Sequence, residues 1–369
     1  MLTITTALPE DYRTDSPEGL AARIEAARAT LGDRLLILGH HYQKDEVMQW
    51  ADARGDSFGL SRLAADRHDA DYVVFCGVHF MAESADILTA PHQQVILPDL
   101  AAGCSMADMA DIDQVEEAWE AVAEVADIER VVPITYMNST AALKAFVGRH
   151  GGAVCTSSNA RRILEWALAE QPERPGAEKV LFFPDQHLGR NTALAMGHDL
   201  SSMVVWDPHR DMGGLEDVEV KRATFLLWKG HCSVHQRFHP ENVAAFRAAH
   251  PDGRVVVHPE CAHEVVELAD EVGSTDFIIR TVEAAAPGTV LSIGTEIHLV
   301  KRLADEHPDL QIECLDPTVC PCTTMSRIDA PHLAWVLEEL VAGRVRNRIT
   351  VDDATAQDAR VALERMLAI

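Results

Sequence analysis

RLLILGHHYQKDEVMQWADARGDSFGLSR (34–62) sets the fold class. It opens on an apolar run that breaks abruptly into His40, His41 and Tyr42. Helical patterns follow near 44–53 and 57–67, the second opened by the turn Gly55-Asp56-Ser57. A short apolar run feeding a helix, then another, is the signature of βα units and a parallel sheet. Two more such runs, DYVVFCG (71–77) and QVILPD (94–99), complete a first group, with a helix near 79–89 between them.

The pattern then recurs. A second group holds RVVPITY (130–136), GAVCTSS (152–158) and KVLFFPD (179–185), with helices near 139–147 and 159–170. A third holds RVVVHPE (254–260), FIIR (277–280), TVLSIGTE (289–296) and LQIECLD (310–316), with helices near 261–272 and 297–306. Each group predicts a small α/β sheet, and three similar groups predict a triplicated architecture. Pro133 inside RVVPITY is awkward for a central strand, because proline has no N–H to give the ladder. The stretch 190–230 fits the repeat poorly and reads as an insertion or long crossover. From Asp329 the chain reads as helices, with that aspartate as N-cap. The expected boundaries are therefore 20–103 and 104–231 (with the 190–230 insertion), then 232–321, and a C-terminal helical segment at 322–369.

A formal charge of −26 over 369 residues excludes nucleic acid as an expected partner, since phosphate backbones are held by clustered lysine and arginine. No run approaches the length of a membrane span, and the N-terminus lacks the basic and apolar regions of a secretory signal. The expected address is the cytoplasm. There the eight cysteines should be reduced rather than paired.

Those cysteines contain no C-x-x-C pair, which removes the main support for ribbon, finger and thioredoxin-like readings. Cys76, Cys155 and Cys314 sit inside apolar strand runs and read as core, while Cys261, directly after Glu260, is ambiguous. Cys104, Cys232 and the pair Cys320 and Cys322 instead fall at the junctions between groups. Three converging thiolates would suit Zn²⁺ or an iron–sulfur cluster with one metal position left open, as catalytic sites keep. A closed four-cysteine zinc site using both Cys320 and Cys322 is the rival.

Ligands of open parallel sheets bind beyond the carboxyl ends of the strands, and these ends are unusually polar. His40 and Tyr42 end the first run; Tyr136, Asn138, Ser139 and Thr140 end RVVPITY. Thr156, Ser157, Ser158 and Asn159 follow GAVC, Asp185 and His187 end KVLFFPD, and His258 with Glu260 ends RVVV. Thr295 and Glu296 follow Gly294. Hydroxyls and amides at helix N-termini suit phosphate and carboxylate; His, Tyr and Glu supply acids and bases. Each small polar residue is also an ordinary N-cap, and it is their coincidence in all three groups that points to a site.

Together these segments resemble the quinolinate synthase family. The match is carried by GHHYQ (39–43), GDSFGLSR (55–62), AGCSMAD (102–108), YMNSTAALKA (136–145), CTSSNA (155–160) and PDQHLG (184–189). It continues through GHCSVHQRF (230–238), HPEC (258–261), GST (273–275), IGTEIHLV (293–300) and VCPCTTM (319–325). The resemblance implies three α/β/α Rossmann-like domains in pseudo-threefold arrangement around a central iron–sulfur site. It implies a [4Fe–4S] cluster on Cys104, Cys232 and one of the C-P-C pair; Cys322 is chosen, three residues before Met325. The implied reaction condenses iminoaspartate with dihydroxyacetone phosphate to quinolinate, releasing phosphate and two waters. The open iron would act as Lewis acid in the dehydration.

By the same resemblance the substrate anions are held by His40, Ser57, Asn138, Ser157, His235 and Thr275. Tyr42, Tyr136, His258 and Glu260 move protons or position substrate. Functional coupling to an aspartate-oxidising enzyme, as the source of iminoaspartate, is expected from pathway logic. An aconitase-like hydro-lyase is the enzymatic alternative, and an iron–sulfur sensor the non-enzymatic one; the sensor would need a basic face that this chain lacks.

Overall fold

The computed structural model describes residues 7–170, 176–318 and 321–369, and the chain forms two compact units. One holds the described residues of Met1–Cys104 with Pro321–Asp352; the other holds those of Ser105–Cys320 with Asp353–Ile369.

The first unit begins with α1 (Glu10–Arg13) and α2 (Pro17–Leu31). Ser16 starts α2 by accepting the Gly19 N–H at 3.0 Å, with Pro17 at the first helical position, and Leu20, Ile24, Ala27 and Leu31 form its buried stripe. β1 (Leu35–His40) is buried at every residue, as expected of a strand with neighbours on both edges and layers on both faces. Next come α3 (Asp45–Met48), β2 (Ala53–Gly55), α4 (Ser57–Asp66), β3 (Tyr72–Cys76), α5 (His79–Leu88) and β4 (Gln94–Ile96). The four strands run parallel in the order β2-β1-β3-β4.

The second unit opens with α6 (Ile112–Val125), β5 (Val131–Tyr136), α7 (Ala141–Arg149), β6 (Ala153–Cys155), α8 (Ala160–Leu168), β7 (Lys179–Phe183) and α9 (Gln186–Ala195). The stretch expected as an insertion then supplies β8 (Met203–Trp206), α10 (Asp217–Arg222) and β9 (Phe225–Trp228). MVVW and FLLW are both apolar four-residue strands, and they complete a parallel sheet ordered β6-β5-β7-β9-β8. Pro133 is tolerated in β5 because the β5–β6 ladder starts one residue later, at Ile134 against Ala153.

A second sheet in the same unit follows α11 (Pro240–Ala249). It is built from β10 (Arg254–Val257), α12 (His263–Val266), β11 (Glu271–Val272), α13 (Thr275–Glu283), β12 (Val290–Gly294), α14 (Ile297–Glu306) and β13 (Gln311–Cys314). Its parallel order is β11-β10-β12-β13. FIIR, expected as a strand, lies within α13. Ser274 caps that helix by accepting the Phe277 N–H at 3.3 Å. Thr275, Ile278 and Val282 then bury one face at spacings of three and four.

The expected C-terminal helical segment is divided. α15 (Ala330–Val341) packs on α2, and β14 (Arg348–Ile349) pairs antiparallel with β4, both in the first unit. α16 (Asp353–Ala368) packs on α7 in the second, so closely that a Cβ at Gly148 would overlap the Asp358 carbonyl oxygen.

All three sheets share the strand order second-first-third-fourth, counting strands as each sheet meets them, except that β8 flanks β9 in the middle one. The first and last sheets repeat finer detail. Asp52 Oδ2 accepts the Ile37 N–H at 2.7 Å, and Asp270 Oδ2 accepts the Val255 N–H at 2.7 Å. Each of these aspartates also pairs with an arginine of the helix before the strand, Arg28 and Arg247.

Candidate active site

In the second unit the ends of β5, β6, β10 and β12 and the turn at His235 bring together five of the expected residues, Tyr136, Ser157, His235, His258 and Glu260. Tyr136, the last residue of β5, donates its hydroxyl to Glu260 Oε1. Glu260 Oε2 lies 2.9 Å from His235 Nδ1, and His235 Nε2 lies 3.2 Å from Thr295 Oγ1. The result is a buried chain running Tyr136–Glu260–His235–Thr295. His258 stacks on His235 with ring centroids 4.6 Å apart, and its Nε2 reaches Ser157 Oγ at 3.2 Å.

Burial pushes the His258 imidazolium down to about 3, Glu260 opposing that shift and His235 adding to it. Burial alone would raise the Glu260 carboxyl, yet its neighbours hold it below the usual carboxylate range. His258 is therefore uncharged at neutral pH and does not itself hold Glu260 ionised. The hydrogen bonds from His235 and Tyr136 are then what keep Glu260 ionised, as donors to a carboxylate do. The arrangement can pass a proton between a phenol, a carboxylate and an imidazole out of contact with bulk water.

The turn carrying Glu260 is held from α9. Asn191 Nδ2 donates to the carbonyls of Pro259 at 2.8 Å and Cys261 at 2.9 Å. Asp185 fixes the start of α9 by accepting the His187 and Leu188 N–H groups at 3.1 and 2.9 Å. Asn191 was not among the expected residues, and PDQHLG is the segment that leads to it. Thr295 was noted only as a strand-end hydroxyl; its place against His235 joins the end of β12 to a 3₁₀ turn 60 residues earlier.

Three of the six anion-holding candidates fall at helix starts. Ser57 opens α4 behind its cap Asp56, Thr275 opens α13 behind Ser274, and Ser157 lies in the turn before α8. Each position follows the second strand of its own sheet. Asn138, in the turn after β5, has a buried Oδ1 with no hydrogen-bond partner, the condition of a group that meets a ligand. In the first unit, His40 and Tyr42 form an edge-to-face pair at 4.8 Å, with His40 buried and Tyr42 half-buried.

The cysteines separate into two sets. Burial pushes the Cys76 thiol to about 12, the Cys314 thiol to about 11, and the Cys155 and Cys261 thiols well up, so these four are inert. Cys104, Cys232 and Cys322 are half-buried and lie outside helices and strands. Each begins the same eight-residue turn: CSMADMAD (104–111), CSVHQRFH (232–239) and CTTMSRID (322–329). Three residues on, a 3₁₀ turn begins at Ala107, His235 or Met325; seven residues on stands the N-cap of α6, α11 or α15. The residue six after the cysteine is buried in every copy: Ala110, Phe238 and Ile328. This threefold match was readable in the sequence and was missed, because it joins segments 128 and 90 residues apart. Cys320 lies outside the described residues. Cys232, with His235 and Glu260, also offers a group of donor atoms within 4.8 Å of one another.

Parallel α/β sheets carrying buried acids and bases at their carboxyl ends define an enzyme. The family model described as quinolinate synthetase A protein matches residues 22–368, and the chain belongs to that family. A quinolinate synthase of a Nocardioides species is 60% identical over 98% of this chain and 92% of its own length. Those of Corynebacterium glutamicum and Streptomyces coelicolor are each 56% identical, over 98% of this chain and 90% and 91% of theirs.

Proposed function

We propose that this chain condenses iminoaspartate with dihydroxyacetone phosphate to quinolinate, releasing phosphate and two waters, as a cytoplasmic step of NAD biosynthesis. The reading rests on family membership, and the observation that carries it is the buried Tyr136–Glu260–His235 chain. Closing an aromatic ring with loss of two waters needs repeated proton transfers away from solvent, which that chain supplies.

Glu260, kept ionised, accepts protons, with Tyr136 and His235 returning them. Neutral His258 and the hydroxyls of Ser157, Thr275 and Ser57 orient the carboxylates and phosphate, together with Asn138 and His40. Tyr42 joins the proton-moving groups. Helix starts favour these anions through their free N–H groups and dipole. In a chain of net charge −26, such local sites stand in for a basic surface. The three sheets head three related domains, and iminoaspartate comes from an aspartate-oxidising enzyme.

The cofactor is a [4Fe–4S] cluster on Cys104, Cys232 and Cys322. The donor set fits it: three half-buried thiols stand on one repeated turn, while four other thiols are locked in inert surroundings. Cys322 shares that turn, which supports it over its neighbour in C-P-C. Bound there, the cluster supplies a Lewis-acidic iron for expelling hydroxyl groups. Metal and sulfide analysis of anaerobically purified protein tests the assignment: about four irons and four sulfides per chain support it, and one zinc without sulfide rejects it. Quinolinate formation from the two substrates tests the activity.

A further inference from the structure

We propose that the cluster-free chain binds a single zinc ion through Cys232 Sγ, His235 Nδ1 and Glu260 Oε2, with the fourth position open. One thiolate, one imidazole and one carboxylate make a borderline-soft donor set that suits Zn²⁺, and three protein ligands are the number of an open zinc site. The three donor atoms lie within 4.8 Å of one another, and the nitrogen–oxygen pair is 2.9 Å apart. Tetrahedral zinc with bonds of about 2.0–2.3 Å sets its ligands roughly 3.3–3.8 Å apart. The nitrogen–oxygen pair must open by a few tenths of an ångström to admit the ion, and Cys232 lies outside helices and strands, where it can adjust.

The outer contacts are already those of a metal site. Zinc ligands are normally oriented by a hydrogen bond to the atom that does not bind the metal. Here Thr295 meets His235 Nε2 and Tyr136 meets Glu260 Oε1, leaving Nδ1 and Oε2 facing one another. On binding, the His235 proton shifts from Nδ1 to Nε2, where the Thr295 hydroxyl accepts it, and the Cys232 thiol proton leaves to solvent. Cys232 cannot serve this ion and the cluster together, so zinc occupancy closes the chain to cluster assembly.

Full-length protein stripped of metal under reducing, anaerobic conditions is titrated with Zn²⁺ against a chromophoric chelator, and with Co²⁺ as spectroscopic probe. One zinc per chain is expected. His235→Gln and Glu260→Gln should each weaken it at least about tenfold, and Cys104→Ser and Cys322→Ser should leave its affinity unchanged. Cobalt should show a thiolate charge-transfer band with the intensity of one thiolate, lost in Cys232→Ser; this wild-type spectrum decides the case even where a buried variant fails to fold. A three-thiolate spectrum, zinc loss in Cys104→Ser, or no stoichiometric zinc overturns the proposal. Iron and sulfide retention in the same cysteine variants judges the cluster separately.

Discussion

The backbone N–H of Glu260 donates to Nδ1 of His258 at 3.3 Å. Nδ1 therefore carries no proton, and the one proton of the neutral ring sits on Nε2, facing Ser157. The first unit repeats this geometry at the end of β1, where the Tyr42 N–H donates to His40 Nδ1 at 3.2 Å. In both places the backbone turn selects the tautomer. Each histidine then presents an N–H donor suited to an anionic substrate.

Tyr42 and Glu260 each stand two residues beyond such a histidine. Tyr42→Phe and Glu260→Gln preserve shape and should keep the fold and cluster content. Both are expected to cut kcat by roughly 10²–10⁴-fold, the contribution of a positioned acid or base. Steady-state quinolinate formation on cluster-replete protein measures it; a loss below about tenfold assigns the residue a structural role.

The cysteine turns give a second expectation. Cys104→Ser, Cys232→Ser and Cys322→Ser should each abolish retention of iron and sulfide, whereas Cys76→Ser, Cys155→Ser and Cys314→Ser should change stability alone. If Cys320→Ser loses the cluster and Cys322→Ser keeps it, the choice within C-P-C is reversed.

His187 contributes to acid lability. Burial, then Arg190, lowers it from 6.5 to about 4. A folded-state value below the unfolded one means that the stabilisation is present above pH 6.5 and is lost as pH falls toward about 4. Between pH 7 and pH 5 the loss from this group is about 2 kcal/mol. Urea unfolding of cluster-free protein at the two pH values should show His187→Gln falling less than the wild type. Equal falls would show that His187 does not titrate in this range.

Asp52 and Asp270 anchor the starts of β1 and β10 through a backbone N–H and a partner arginine. Asp52→Ala and Asp270→Ala should each destabilise the chain by about 1.5–3 kcal/mol. Chemical unfolding would show the two costs agreeing; a negligible cost for either would mean that strand packing alone sets that register.

Long apolar runs ending in polar residues were legible, which is why β1, β5, β7 and β10 and their terminal Tyr136, His258 and Glu260 fell where expected. FIIR was misread because four apolar residues suit a strand or a helix equally; the Ser274 cap decides it, and a cap is visible only when the helix is already suspected. β2 and β11, reading ARG and EV, carry no apolar signal and are strands because a neighbouring edge accepts them. The sequence pattern missed β8 and β9 because prolines, glycines and charges surround MVVW and FLLW. Contacts such as Thr295 on His235 belong to no local pattern at all.

The eight-residue cysteine turn keeps its backbone in all three copies but not its contents. Its fourth position is buried each time, as Ala107, His235 and Met325. Only one copy spends that position on an ionisable group; the other two merely fill space. Repetition of a scaffold has thus allowed a division of labour: a role that one copy performs need not be performed by its siblings, which are left free to specialise. A symmetric framework can in this way host a lopsided chemistry, as a reaction between two unlike molecules requires.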